Sequence, residues 1–165
     1  MLFTDQIELY IPPKKGRMHV LRIIRELIEF KPENTKTDID MALKSLTNLI
    51  KKKAIVFMLS DFMDDNYERS LKIVARRHDV TGIRIYDKRE TELPNVGLVQ
   101  AKDAETGNLV WINTALKSTR NQYRQQYFDR VEYFNKTLKL SGAGRISTQV
   151  EESYVKKLLS YFKAR

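Results

Sequence analysis

The chain of 165 residues has no cysteine, two histidines (His19 and His78), one tryptophan, six glycines and four prolines. Without cysteine it has no disulfide framework, no thiolate zinc centre and no thiol nucleophile. Neither histidine has a carboxylate or serine at a spacing that suggests a catalytic triad. His78 follows Arg76-Arg77 and reads as a partner for a helix C-terminal dipole. Lys14-Lys15-Gly16-Arg17 lacks the rest of a phosphate-binding loop, and nothing else is glycine-rich, so nucleotide binding is not expected. No apolar run approaches the roughly 18–20 residues that a membrane helix needs. The longest clean run, Ala54 to Leu59, is strand-sized. Met1 to Asp5 shows neither the charged nor the apolar region of a signal peptide, and a reducing, cytoplasmic setting is expected.

What is present describes one globular domain: 42% of residues are hydrophobic and 31% charged. The net charge is +9, from Lys+Arg 30 against Asp+Glu 21. Residues 115–165 hold 11 of the basic residues but only 4 of the acidic ones, so the surplus is concentrated near the end of the chain. An anionic partner is one reading of such an imbalance.

Leu2-Phe3-Thr4 and the alternating Ile7, Leu9 and Ile11, separated by Asp5-Gln6, read as two strands joined by a tight turn. Beyond the breaker Pro12-Pro13-Lys14-Lys15-Gly16, Val20, Ile23, Ile24, Leu27 and Ile28 share one helical face. A second helix carries Ile39, Ala42, Leu43, Leu46, Leu49 and Ile50 on its stripe and ends at Lys51-Lys52-Lys53. Ala54 to Leu59, apolar throughout, predicts a strand buried on both faces of a helix-covered sheet. A helix with Tyr67, Leu71, Val74 and Ala75 inward and a strand over Val80–Tyr86 follow, and this βαβ order predicts an α/β fold with a largely parallel sheet. Short strands at Leu98–Ala101 and Leu109–Ile112 flank Asp103-Ala-Glu-Thr-Gly107 as a hairpin. The rest is a basic helix over Ser118–Leu138, a strand over Arg145–Thr148 and a helix over Glu151–Phe162.

Ligands of open parallel sheets bind beyond the carboxyl ends of the strands. Asp61 directly follows the buried strand there, with Asp64 and Asp65 in the same loop. Oxygen ligands of this kind suit a hard cation such as Mg²⁺. The alternative is structural: Asp61 accepts loop N–H groups, and Asp64 or Asp65 caps the helix that begins near Asn66. Thr37 opens the second helix, with Asp40 three residues on as a weak capping box, and belongs to the same end of the sheet as Asp61.

Taken together, Thr37-Asp38-Ile39…Ala42-Leu43, Leu59-Ser60-Asp61-Phe62, Arg76-Arg77-His78-Asp79-Val80, Leu93-Pro94…Gly97, Asp103-Ala-Glu-Thr-Gly107 and Tyr154-Val…Leu158-Leu159…Phe162…Arg165 resemble the bacterial domain-of-unknown-function fifty-eight family. Members of that family contain a von Willebrand factor A-like domain and are often encoded beside MoxR-type AAA+ ATPases. The resemblance spans essentially the whole chain. It implies a three-layer α/β fold with Rossmann-like winding, and an adhesion site in which Thr37 and Asp61 help to hold Mg²⁺ or Mn²⁺ while a partner's carboxylate completes the shell. It also implies a protein partner, a MoxR-type ATPase among the candidates. The Asp-x-Ser-x-Ser part of such a site occurs nowhere in the sequence. By this resemblance the chain opens at the family's second strand, as the C-terminal part, residues 1–165, of a protein of about 290 residues. The absent first strand would be the central one, between Leu2 and Ala54, leaving two edges for the halves, a second copy or another chain to close. With only Thr37 and Asp61 present, little Mg²⁺ binding is expected from this chain alone.

The first expectation is therefore a non-enzymatic protein-interaction domain. The second is a Mg²⁺-dependent phosphoryl-transfer or hydrolase domain using Asp61, with Ser60, Asp64 and Asp65 as the available helpers. The third is nucleic-acid binding through the Arg120–Arg130 helix, where arginines alternate with aromatics. Against the third, Tyr123, Tyr127, Val131 and Phe134 form one stripe, which reads as core packing with a solvated basic back. Trp111 likewise reads as a packing residue.

Overall fold

The turn at Asp5-Gln6 brings β1 (Leu2–Phe3) antiparallel to β2 (Ile7–Leu9), as expected. This computed structural model describes residues 1–102 and 108–164, so the expected turn over Asp103–Gly107 and the terminal Arg165 lie outside the described residues. The remaining elements are α1 (Arg17–Glu29), α2 (Ile39–Leu49), β3 (Ile55–Ser60), α3 (Glu68–Arg77), β4 (Asp79–Tyr86), β5 (Leu98–Lys102), β6 (Leu109–Asn113), α4 (Lys117–Ser141), β7 (Gly144–Gln149) and α5 (Tyr154–Lys163).

β3, β4 and β7 form a parallel sheet in that order, with Ser60, Arg84 and Ser147 in register near its carboxyl end. Parallel pairing requires long crossovers. α3 makes the first, and the β5–β6 hairpin with α4 makes the second. The alternation of the strands sends Val56, Met58 and Val80 toward one face, where they join Leu43 of α2, Leu71 and Val74 of α3, and Phe134 and Leu138 of α4 in a single cluster. Each large side chain buried there contributes roughly 1.5–3 kcal/mol. α4 lies directly on β4 at Gly82, where a Cβ would come within 2.5 Å of Leu138 Cδ2 and 3.2 Å of Phe134. The stripe of α4 faces inward as expected: Tyr127 and Phe134 are buried.

α5 covers the opposite face of the sheet, through Tyr161 Oη at 3.1 Å from Thr81 Oγ1 and an edge-to-face contact of Phe162 with Phe57. It covers that face only in part, and no residue of α5 is buried. β3 therefore departs from the expectation of two buried faces. Val56 and Met58 are buried, but Ile55, Phe57 and Leu59 are 67%, 45% and 57% exposed, because α5 sits mainly over β7 and reaches β3 only through the contact of Phe162 with Phe57. Trp111 is also not a packing residue. It is 62% exposed on a hairpin that, among the described residues, pairs with no further strand. The apolar face of α1 is formed as a helix but has no buried residue. Among the described residues no helix is long and apolar enough to cross a membrane.

Candidate functional site

β3 ends at Ser60, and the chain turns sharply through Asp61 to Asn66 before α3. Two non-glycine residues in this loop adopt left-handed backbone, Phe62 at φ 56° and Asn66 at φ 65°. For a bulky residue such as Phe this conformation is strained. Packing holds it: Phe62 is 1% exposed and its ring centre lies 4.5 Å from that of Phe134. The turn is stitched by short polar bonds. The Ser60 hydroxyl donates to Asp61 Oδ1 at 3.2 Å and accepts the Phe62 N–H at 3.0 Å, while the Met63 N–H donates to the same Asp61 oxygen at 3.2 Å. Arg130 of α4 donates to the Met63 carbonyl, fixing the loop from the other side.

Asp61 thus lies exposed at the carboxyl end of the sheet with one oxygen engaged by its own loop. Asp64 does not cap α3, as the sequence suggests. It reaches across to α2 and accepts the Ile39 N–H at 2.8 Å. α3 begins after Tyr67 with no side-chain cap at all, and its Tyr67 N–H donates instead to the Tyr133 hydroxyl of α4. The Asp65 carboxylate accepts from the Asn66 side chain.

Thr37 is exposed and is not the cap of α2. That place belongs to Asp38, whose carboxylate accepts the Met41 N–H at 2.7 Å, so the expected Thr37–Asp40 box does not form. A carboxylate at the N-cap is favoured by both hydrogen bonding and the helix dipole. Asp40 pairs with Lys44 one turn on, and hydrogen bonds from Lys44 and then Ser70 hold its carboxyl below the usual range. Among the described residues there is no group of three or more His, Cys, Asp or Glu side chains arranged to hold a metal ion. Thr37 and Asp61 are two donors, one of them partly occupied, and a hard divalent ion takes six or more oxygens. The residues present do not by themselves make a metal centre.

A larger feature lies beside β3. Its inner side pairs with β4, and among the described residues its outer edge meets no strand; β1 likewise pairs only with β2. Between these elements runs a groove of about 730 Å³, walled by Leu2 and Phe3, by Ile23 and Leu27 of α1, by Leu46 of α2 and by the whole of β3. Every residue of β3 but Ser60 is apolar. The hairpin is tied to α2 by the Asp38 N–H donating to the Thr4 carbonyl at 3.0 Å. At the rim, the Thr4 hydroxyl donates to Glu8 at 2.7 Å and holds that carboxyl below its usual range.

Two buried polar groups had no signal in the hydrophobic pattern. Arg84 alternates with Ile83 and Ile85 in β4, yet is only 4% exposed. It donates to the Tyr127 hydroxyl at 3.0 Å and lies 4.2 Å from the centre of the Tyr86 ring. His78 closes α3 as expected, but it is buried, and its Nδ1 accepts the Ala54 N–H at 3.3 Å, joining the end of α3 to the entry of β3.

The sequence profile of the family described as "Protein of unknown function DUF58" matches residues 1–132. An uncharacterised protein of Mycobacterium tuberculosis strain H37Rv is 32% identical over 100 residues, which cover 59% of this chain and 32% of that protein. An uncharacterised protein of Mycobacterium bovis matches to the same extent. The chain thus spans about a third of the length of these relatives. An uncharacterised protein of Mycobacterium avium is 24% identical over 158 residues, covering 94% of this chain and 93% of that protein. No solved structure matches.

Proposed function

This chain belongs to the DUF58 family of proteins of unknown function, and from that premise we propose that it is a non-enzymatic protein-interaction domain that receives an extended apolar segment of a partner along β3. The groove beside β3 carries the reading. It joins an unpaired strand edge, which offers alternate N–H and C=O groups, to apolar walls that would take the alternate side chains of an added strand. The finer terms of the proposal rest on the resemblance drawn from the sequence. The fold is von Willebrand A-like without its central strand, the partner class is a MoxR-type AAA+ ATPase, and Thr37 and Asp61 contribute to a Mg²⁺ or Mn²⁺ site only when ligands from outside this chain complete it. A phosphoryl-transfer reading is less well supported, because Asp64 is committed to α2 and the Ser60 hydroxyl to its own loop.

The test is amide hydrogen exchange on the chain with and without a MoxR-type ATPase from the same genome. Alternate amides of Ile55–Ser60 are expected to become protected in the complex. Leu59→Lys, at an exposed position, is expected to abolish complex formation without unfolding the chain. A complex that leaves β3 unprotected, or no complex, overturns the reading.

A further inference from the structure

The outward side of α1 is a surface that the groove does not use. Ile23 and Leu27 stand on the groove wall. At 100° per residue Val20, Leu21, Ile24 and Ile28 fall within an arc about 100° wide that continues from the groove wall at Leu27. They are 54%, 47%, 47% and 78% exposed, and Met18, at 78%, lies beyond the arc. No residue of the helix is buried, so this arc is not part of the core. The helix with its flanks carries a basic surplus: Arg17, Arg22 and Arg25 within it and Lys14, Lys15 and Lys31 beside it stand against Glu26 and Glu29. The charges are not evenly placed. Arg22 and Glu26 pair at 3.6 Å on the side away from the arc. Arg17 falls within the arc at the start of the helix, Arg25 borders it, and Lys14 and Lys15 lead into it; among the described residues none of these four is in an ion pair.

We propose that α1 is an interfacial helix that lays this aliphatic arc on an anionic phospholipid surface, with Lys14, Lys15, Arg17 and Arg25 meeting the headgroups. Charge complementarity selects the occupant. Exposed aliphatic residues bordered by unpaired cations match a negatively charged bilayer, into which such a helix sinks its apolar face while the basic stems reach the headgroups. At 1.5 Å per residue the helix lies about 20 Å along the surface. The net +9 of the whole chain draws it to the same surface.

Co-sedimentation of the full chain with vesicles of phosphatidylcholine, and of phosphatidylcholine with phosphatidylserine, tests this. The chain is expected on the phosphatidylserine vesicles and in solution with phosphatidylcholine alone. Lys14→Glu with Lys15→Glu and Arg17→Glu is expected to weaken partitioning at least about tenfold, given the contribution of each basic residue near a charged bilayer. Ile24→Ser with Ile28→Ser is expected to weaken it as well while leaving every charge in place. Because all five positions are exposed, both variants are expected to keep the circular dichroism of the parent. The parent's preference between the two vesicle compositions is read independently of any variant. Equal binding to both vesicles, no binding to either, or retention unchanged by the serine pair overturns the proposal. So does a dimer in solution that the serine pair converts to monomer, which would assign the arc to a second copy of the chain.

Discussion

The Asp64 carboxylate accepts the Ile39 amide at 2.8 Å, so the loop at the carboxyl end of β3 is bonded to the first turn of a helix 25 residues earlier. With Asp38 on Met41, it gives α2 two carboxylates at its N-terminus. Asp64→Ala is expected to destabilise the chain by about 1–2 kcal/mol, the range for a lost N-terminal cap, and Asp65→Ala by much less. Urea unfolding of the two variants checks this; equal effects would contradict it.

Gly82 is required by close approach, not by backbone conformation. Gly82→Val forces α4 off β4 at Leu138 and Phe134 and is expected to lower stability by about 1–3 kcal/mol. Gly144→Ala instead meets Tyr161 on the other face. Its expected effect is local: α5 is released, seen as early proteolytic cleavage before Tyr154 while the cooperative unfolding of the rest persists.

Arg84 is a buried cation without an acidic partner among the described residues. Among the described residues its Nε has no hydrogen bond, while Nη1 donates to the Tyr127 hydroxyl. Replacing an uncompensated buried charge by an apolar side chain of similar length is expected to be neutral or stabilising, so Arg84→Met should stay within about 1 kcal/mol of the parent or exceed it. Tyr127→Phe, which strips the guanidinium of that bond, is expected to destabilise by about 1–3 kcal/mol. Denaturant midpoints in the reverse order would show that Arg84 is satisfied in another way.

The Tyr133 phenol is pushed up to about 12 from an ordinary 10.0, by burial first and then by its hydrogen bond with Glu68. Tyr67, fully buried beside it, is also raised, chiefly by burial. A raised phenol binds its proton more tightly folded than unfolded. This stabilisation is therefore whole below pH 10 and lost as the pH rises toward 12. Tyr133→Phe is expected to flatten the fall of the urea midpoint across that window, and phenolate absorbance should show one late-titrating group fewer.

Thr37 and Asp61 alone are expected to hold no divalent ion tightly. Calorimetry with Mg²⁺ should give no micromolar binding, and Mg²⁺ should leave the melting temperature of the chain unmoved. A Mg²⁺-dependent rise in that temperature, removed by Asp61→Ala, would establish a site that these side chains do not suggest.

Local pattern carried much of the architecture. The apolar spacing of α2 and α3 and the Tyr127–Phe134 stripe of α4 identify helices with a core side, and Ala54–Leu59 identifies β3. Asp61 at the end of β3 was legible for the same reason, since an acidic residue straight after an apolar strand can lie only at its carboxyl end. The partners were not legible. Nothing in the spacing of Asp64 points to Ile39, and the alternation through Ile83, Arg84 and Ile85 says nothing of a guanidinium turned inward onto two tyrosines.

The sequence by itself determined the order of strands and helices and the helical form of α1, because these follow from residue periods of 2 and 3.6 within each segment, and the parallel character of the sheet, because it follows from the alternation of strands with helices. Tertiary structure alone decided which apolar surfaces are covered. Phe57 and Trp111 look like core residues along the chain, and Ile24 lies on a stripe that ordinarily packs inward. All three stand exposed, because burial depends on whether another segment lies across that face, which is not a property of the residue's own neighbourhood. The same rule leaves the edge of β3 without a pairing strand and the outer arc of α1 uncovered among the described residues.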